Sequence, residues 1–176
     1  MSRAFIAVGS NLDPDSNVYE GIRRLGLAET LVGISSLYRT PAEDRPEQPD
    51  YTNGVVAIET ETSPRDLKFG TLRRIEEELG RTRGPDRFAA RTIDLDLIWY
   101  DDLVLAQSDF TLPDPQILER PYLALPLAEL APRLIFPGSG LCVGDIAAGM
   151  SDDGMQPLTA YRERLGRLLA SASSGR

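Results

Sequence analysis

Histidine does not occur among the 176 residues of this chain, and that gap removes every mechanism that needs an imidazole, from a Ser-His-Asp or Cys-His pair to a histidine-ligated metal. Cysteine occurs once, at Cys142, so neither an intramolecular disulfide nor a thiolate metal cage can form, and nothing demands an oxidising compartment. Long apolar runs are missing too. The stretch Ala4 to Val8 is far shorter than a signal-peptide core and soon meets Asp13 and Asp15. No segment approaches the ~18 to 20 apolar residues of a membrane span. Positive charge is scarce: 19 basic residues stand against 27 acidic ones, a net charge of −8, the wrong balance for a nucleic-acid surface. These absences predict a cytoplasmic protein that partners neither nucleic acid nor membrane. What is present, 41% hydrophobic and 26% charged residues, suits one domain with a substantial core.

Ala4 to Val8, closed by Gly9-Ser10-Asn11, reads as a buried strand ending in a turn. Val18, Ile22 and Leu25 form a helical stripe, with Asp13-Pro14-Asp15-Ser16 supplying capping residues ahead of it. Leu31 to Tyr38 reads as a second strand, and Arg39 to Asp50, with Pro41, Pro46 and Pro49, as a long surface loop. Tyr51 to Thr60 reads as a third strand. Ser63-Pro64-Arg65-Asp66 starts a second helix, Phe69, Leu72, Ile75 and Leu79 supply its stripe, and Gly80 ends it. A fourth strand spans Thr92 to Tyr100. Strand-helix-strand twice in series buries best as an antiparallel sheet with both helices on one face, so the expected class is α/β (α+β) and ferredoxin-like. The remainder predicts a short strand near Leu103, a loop through Pro113 and Pro115, and a helix over Tyr122 to Leu130. A C-terminal helix carrying Leu158, Tyr161, Leu165 and Leu168 follows, then a frayed end over 171–176.

Chemistry concentrates on the fourth strand. Alternation puts Ile93, Leu95, Leu97 and Trp99 toward the core and Asp94 and Asp96 together on the opposite face, roughly 6 to 7 Å apart. Two carboxylates so placed suit Mg²⁺, which takes one or two protein carboxylates, keeps waters and completes its shell with substrate phosphates. A solvated strand face is the plain alternative. The preceding segment, residues 81–91, favours the first reading: it holds four arginines against one aspartate, around a Gly84-Pro85 pair that marks a mobile loop. Arginine forks match phosphate oxygens, so loop and strand together describe a metal-nucleotide site. No Walker loop occurs, and Gly138-Ser139-Gly140 with Gly144 departs from the dinucleotide fingerprint and reads as a surface turn. Gly9-Ser10-Asn11 taken alone reads as an ordinary turn and cap. Tyr51 and Asn53 share a strand face, where an amide can pair with a heterocycle, although most such pairs are structural.

Gly9 through Leu12, Ser36 through Pro41, Gln48 through Asn53, and above all Arg87 through Ile98 resemble the 6-hydroxymethyl-7,8-dihydropterin pyrophosphokinases of folate biosynthesis. The blocks match in order across roughly residues 3 to 137. The resemblance implies pyrophosphate transfer from ATP to the pterin hydroxymethyl group, with AMP released. Asp94 and Asp96 would bind two Mg²⁺ ions, and Arg81 and Arg91 would hold the phosphates. Arg73, Glu76, Thr111, Asp114 and Arg120 would lie beside the nucleotide. Arg83, Arg87 and Phe88 would belong to a loop that closes over both substrates. Thr40, Pro41, Tyr51, Asn53 and Tyr122 match the pterin pocket, with Tyr122 stacking on the ring. The family usually has histidine where Asp114 stands and often a basic residue where Asp109 stands, so weakened ATP binding is expected. Residues 1–137 would be the catalytic domain and 138–176 an extension packed on it, in a monomer acting on small molecules. Two other readings remain open: a two-metal nucleotidyltransferase, and a noncatalytic pterin or nucleotide binder.

Overall fold

The computed structural model describes residues 1–42, 46–82, 84, 86, 89–152 and 154–173, with backbone alone at 162 and 171–173. Its centre is an antiparallel sheet. Strand β1 (Ser2–Ser10) lies between β5 (Asp94–Tyr100) and β4 (Tyr51–Thr60), and β4 pairs on its other side with β2 (Thr30–Ile34) and β3 (Tyr38–Thr40). That order, β5-β1-β4 and then β2 and β3, is the antiparallel ferredoxin-like arrangement expected from the sequence. The single expected strand Leu31 to Tyr38 is two: regular pairing ends at Ile34, and of the backbone bonds to β4 Ser35 keeps its N–H to the Val55 carbonyl, at 2.9 Å. The Ser35 hydroxyl accepts the Val55 N–H at 2.9 Å in place of a backbone carbonyl.

Apolar side chains cover both faces of the sheet. On one, Ala4, Ile6, Val8, Val56 and Ile58 pack with Val18, Ile22 and Leu25 of α1 (Pro14–Ala28) and with Leu67, Leu72 and Ile75. These last belong to a continuous helical rod, α2 (Pro64–Asp66), a π segment (Leu67–Leu72) and α3 (Arg73–Glu78), closed by Gly80 at φ 78°. On the other face, Phe5, Val55 and Ala57 pack under Leu123, Ala124 and Leu127 of α4 (Pro121–Leu130), with Val143 and Ile146 of α5 (Val143–Ala148). Cover on both sides is why β1 reads as an unbroken apolar run rather than an alternating one. Each fully buried leucine or isoleucine contributes about 1.5–3 kcal/mol.

Four further expectations need correction. Ser63 caps its helix through the Asp66 N–H as expected, but Asp13, at φ 42°, makes no side-chain cap; its carbonyl takes the Ser16 and Asn17 N–H groups instead. Trp99 does not face the core with Leu95 and Leu97. Phe5 pairs with Trp99 and Ile6 with Leu97, so Ile98 is a bulge, and Ile98 and Trp99 both turn to the α4 face. The strand expected near Leu103 is a hairpin of β6 (Leu105–Ala106) and β7 (Thr111–Leu112). Leu158 precedes rather than joins the last helix, α6 (Tyr161–Ser173), because residues just before it form β8 (Gln156–Pro157), an edge partner of β3. Among the described residues no helix is long and apolar enough to cross a membrane.

Candidate active site

Sheet register builds the site before any side chain is considered. Gly9 of β1 stands opposite Asn53 of β4 on one side and Asp94 of β5 on the other, and Ala7 likewise lies between Val55 and Asp96. The central strand thus contributes a hydrogen and a methyl where its neighbours carry longer groups. The result is a trough with an amide wall and a carboxylate wall. Asp114, Gln116, Arg120 and Tyr122, at and before the start of α4, stand over it. Together they enclose a cleft of about 390 Å³ that Thr40, Pro41, Gln48, Tyr51 and Arg91 also line.

The carboxylate wall is dense in charge. Arg81 bonds both Glu76 and Asp94, and Arg91 bonds the other oxygen of Asp94. Glu76, 2% exposed, also accepts the Leu95 N–H at 2.8 Å, so one buried carboxylate fixes Arg81 and the strand backbone beside Asp94. Burial alone would depress the Arg81 guanidinium, but Asp94 and Glu76 beside it hold it above its ordinary value. Asp96 is more open and pairs with Lys68 Nζ at 3.0 Å. Arg91 is held through its backbone: its N–H donates to Asn11 Oδ1 at 2.7 Å, and its carbonyl accepts the Asn11 and Leu12 N–H groups at 3.2 Å each. The Gly9-Ser10-Asn11 turn therefore anchors the arginine segment as well as ending β1.

On the amide wall, Asn53 Nδ2 donates to Thr40 Oγ1 at 2.7 Å, which orients the amide in the cleft. Burial raises the Tyr51 phenol above its usual range. At the roof, Asp114 accepts the Gln116 N–H at 2.9 Å. Burial pushes its carboxyl above the ordinary carboxylate range, and the charge of Asp96 adds to the rise.

Ten of the residues singled out from sequence share this cleft: Thr40, Pro41, Tyr51, Asn53, Arg91, Asp94, Asp96, Asp114, Arg120 and Tyr122. Arg81 and Glu76 stand behind Asp94 rather than on the cleft surface. Arg73 lies over the Phe69 ring at 5.1 Å, and its Nε is buried with no hydrogen-bond partner among the described residues. Thr111 is exposed on the hairpin strand β7, and Asp109 pairs with Arg65 at 2.7 Å. Arg83, Arg87 and Phe88 lie outside the described residues. Sequence reasoning missed Lys68, Gln48 and Gln116, and it undervalued Gly9. For Gly9 a signal existed, a small residue ending an apolar strand beside a polar turn. For Lys68 none did, since only the fold brings it to Asp96.

The donor chemistry fits a hard cation that is finished by a substrate. Asp94 and Asp96 offer carboxylates from one strand face, while among the described residues no group of three or more metal-ligating side chains forms a protein-only cage.

Comparison with known proteins agrees with this geometry. The sequence model of the 7,8-dihydro-6-hydroxymethylpterin-pyrophosphokinase (HPPK) family matches residues 5–132. A 2-amino-4-hydroxy-6-hydroxymethyldihydropteridine pyrophosphokinase from Synechocystis sp. is 41% identical over 143 residues, covering 78% of this chain and 70% of its own length. The enzyme of the same name from Haemophilus influenzae is 38% identical over 142 residues, covering 79% of this chain and 88% of its own. In fold, the chain is similar to the Plasmodium falciparum HPPK-DHPS crystal structure with pteroate, at a TM-score of 0.64 and 11% identity. That match covers 97% of this chain and 45% of the longer one. By the family match and these relatives, the chain belongs to the 7,8-dihydro-6-hydroxymethylpterin-pyrophosphokinase family.

Proposed function

We propose that this chain transfers the terminal pyrophosphoryl group of ATP to the hydroxymethyl oxygen of 6-hydroxymethyl-7,8-dihydropterin, releasing AMP, and that it does so as a cytoplasmic monomer. The observation that carries the reading is the trough itself, with carboxylates and an arginine on one wall and an oriented amide and a phenol ring on the other. A triphosphate suits the first wall and a flat heterocycle the second. Residues 1–137 are the catalytic unit in this reading, and 138–176 an extension.

Asp94 and Asp96 would hold two Mg²⁺ ions, which when bound neutralise the phosphate charge and lower the pKa of an oxygen they coordinate. Arg91 and Arg81, which both bond Asp94, would hold the phosphates, with Glu76 fixing Arg81. Asn53, oriented by Thr40, reads the edge of the pterin ring, Tyr51 and Pro41 bound it, and Tyr122 stacks on its face. Arg73, Thr111, Asp114 and Arg120 would contact the nucleotide, as would Arg83, Arg87 and Phe88, which lie outside the described residues. With no histidine in the chain, catalysis rests on positioning and electrostatics rather than on an imidazole base.

Incubating the chain with ATP and Mg²⁺, with and without the hydroxymethyl pterin, tests this directly. AMP formed only when the pterin is present is the expected result. Release of free pyrophosphate would favour nucleotidyl transfer instead, and absence of turnover despite pterin binding would make the chain a binder.

A further inference from the structure

Residues beyond 132 lie outside the stretch that the family's sequence model matches, yet part of this segment reaches the cleft wall. Strand β8 pairs antiparallel with the outer edge of β3, Tyr38 opposite Pro157 and Arg39 opposite Gln156, and the Leu158 N–H donates to Leu37 O at 2.8 Å. Strand β3 is three residues long and leads directly into the cleft: Thr40 is its last residue and Pro41 follows. Without β8, so short an edge strand would be held only by its pairing with β4 and by the Tyr38 hydroxyl, which donates to Glu129 of α4 at 2.6 Å, among the described residues, and no bond of this kind reaches Thr40 and Pro41 from outside β4. Gly154, at φ 85°, brings the chain against Pro41; a Cβ there would lie 3.5 Å from Pro41 Cγ.

The other end of the segment is fastened. Tyr161, Leu165 and Leu168 of α6 are buried in the cluster that contains α1. The Tyr161 hydroxyl donates to the Asp15 carboxylate, and Arg164 donates to the Asp15 carbonyl at 3.3 Å while lying 3.8 Å over the Tyr19 ring. Both Asp15 and Tyr19 belong to α1, which is packed on the sheet.

We propose that residues 154–168 form a positioning clamp for the amide wall. Helix α6 anchors β8, β8 fixes β3, and β3 in turn holds Thr40 and Pro41 in place. The consequence reaches Asn53, because Thr40 Oγ1 is the acceptor that orients its amide. No residue of the clamp touches substrate in this account; it acts through Thr40. The proposal rests on the reading that the Thr40, Pro41 and Asn53 wall takes the pterin.

The test uses the full-length chain and steady-state rates with each substrate varied in turn. Leu158→Pro removes the N–H that joins the segment to Leu37, and Tyr161→Phe removes only the hydroxyl that reaches Asp15. Loosened positioning is expected to raise KM for the pterin about five- to tenfold in Leu158→Pro, and less in Tyr161→Phe, with KM for ATP within about twofold of the parent. A purely structural role would lower kcat through fewer folded molecules and leave both KM values unchanged, and that result overturns the clamp. A parallel rise in both KM values overturns it as well. Should Leu158→Pro not fold, Tyr161→Phe decides by the same split. Asn53→Ala separates the two layers of the argument. If it raises pterin KM while the clamp variants do not, the clamp alone is wrong; if it leaves pterin KM unchanged, the pterin-wall reading falls and the clamp with it.

Discussion

Asp94 and Asp96 occupy alternate positions of one strand, but their surroundings differ and so do the expected costs of losing them. Asp96 is about half exposed, with side-chain exposure of 53%, and pairs with Lys68, so Asp96→Ala should melt close to the parent. Its turnover should nonetheless fall by ~10²-fold or more, since removing a group that stabilises developing charge commonly costs that much. Near-parental turnover at saturating Mg²⁺ would remove Asp96 from the metal site. Asp114 gives a prediction in pH. Its carboxyl titrates above the ordinary carboxylate value of 3.8, so the folded chain binds that proton more tightly than the unfolded chain. Ionisation therefore costs stability above the folded pKa, and the cost is relieved as pH falls through it. Asp114→Asn keeps an oxygen to accept the Gln116 N–H while removing the charge. Thermal melts should show a higher Tm than the parent at pH 7 and a gain that shrinks toward pH 4. A lower Tm at pH 7 would mean that the charge itself is needed. Asp114→His should also tighten binding of a nonhydrolysable ATP analogue by relieving repulsion. Weaker binding, strongest at low Mg²⁺, would instead tie the carboxylate to the metal.

Elements with long, regular patterns were legible before the structure. Tyr51 to Thr60 has the same bounds in sequence and structure, because six of its ten residues, Tyr51, Thr52, Val55, Val56, Ile58 and Thr60, are β-branched or aromatic and no helical period competes. Trp99 was misplaced because a bulge at Ile98 leaves no mark in an alternating pattern. Helix α5 and strand β8 went unread because they are six and two residues long, too short to show a period. Element packing carries its own prediction at Gly54 of β4. A methyl there would lie 2.5 Å from Leu37 Cδ2 and 3.3 Å from both Ser35 Oγ and the Ser36 carbonyl, so the buried Leu37 side chain would have to shift and the backbone beside it give way. Gly54→Ala should destabilise the chain by about 1–3 kcal/mol in denaturant unfolding, as overpacking does. A cost below about 0.5 kcal/mol would show that β3 and the chain before it can shift freely.

At the scale of the whole molecule, the antiparallel order of the sheet followed from two strand-helix-strand units, but its second cover of α4 and α5 did not. Which residues meet across strands is a matter of register. Asp94, Asp96, Tyr51 and Asn53 were therefore visible singly, while the row Asn53, Gly9, Asp94 that makes them one trough was not. The central claim is that this trough joins a pyrophosphoryl group to a pterin. The most direct measurement is the mass of the pterin recovered after incubation with ATP and Mg²⁺, for the parent and Asp96→Ala side by side. The parent should yield pterin carrying one pyrophosphoryl group, matched by an equal amount of AMP, and Asp96→Ala should yield next to none. Pterin carrying a single phosphoryl group with ADP, or pterin carrying the nucleotide with free pyrophosphate, would contradict the account.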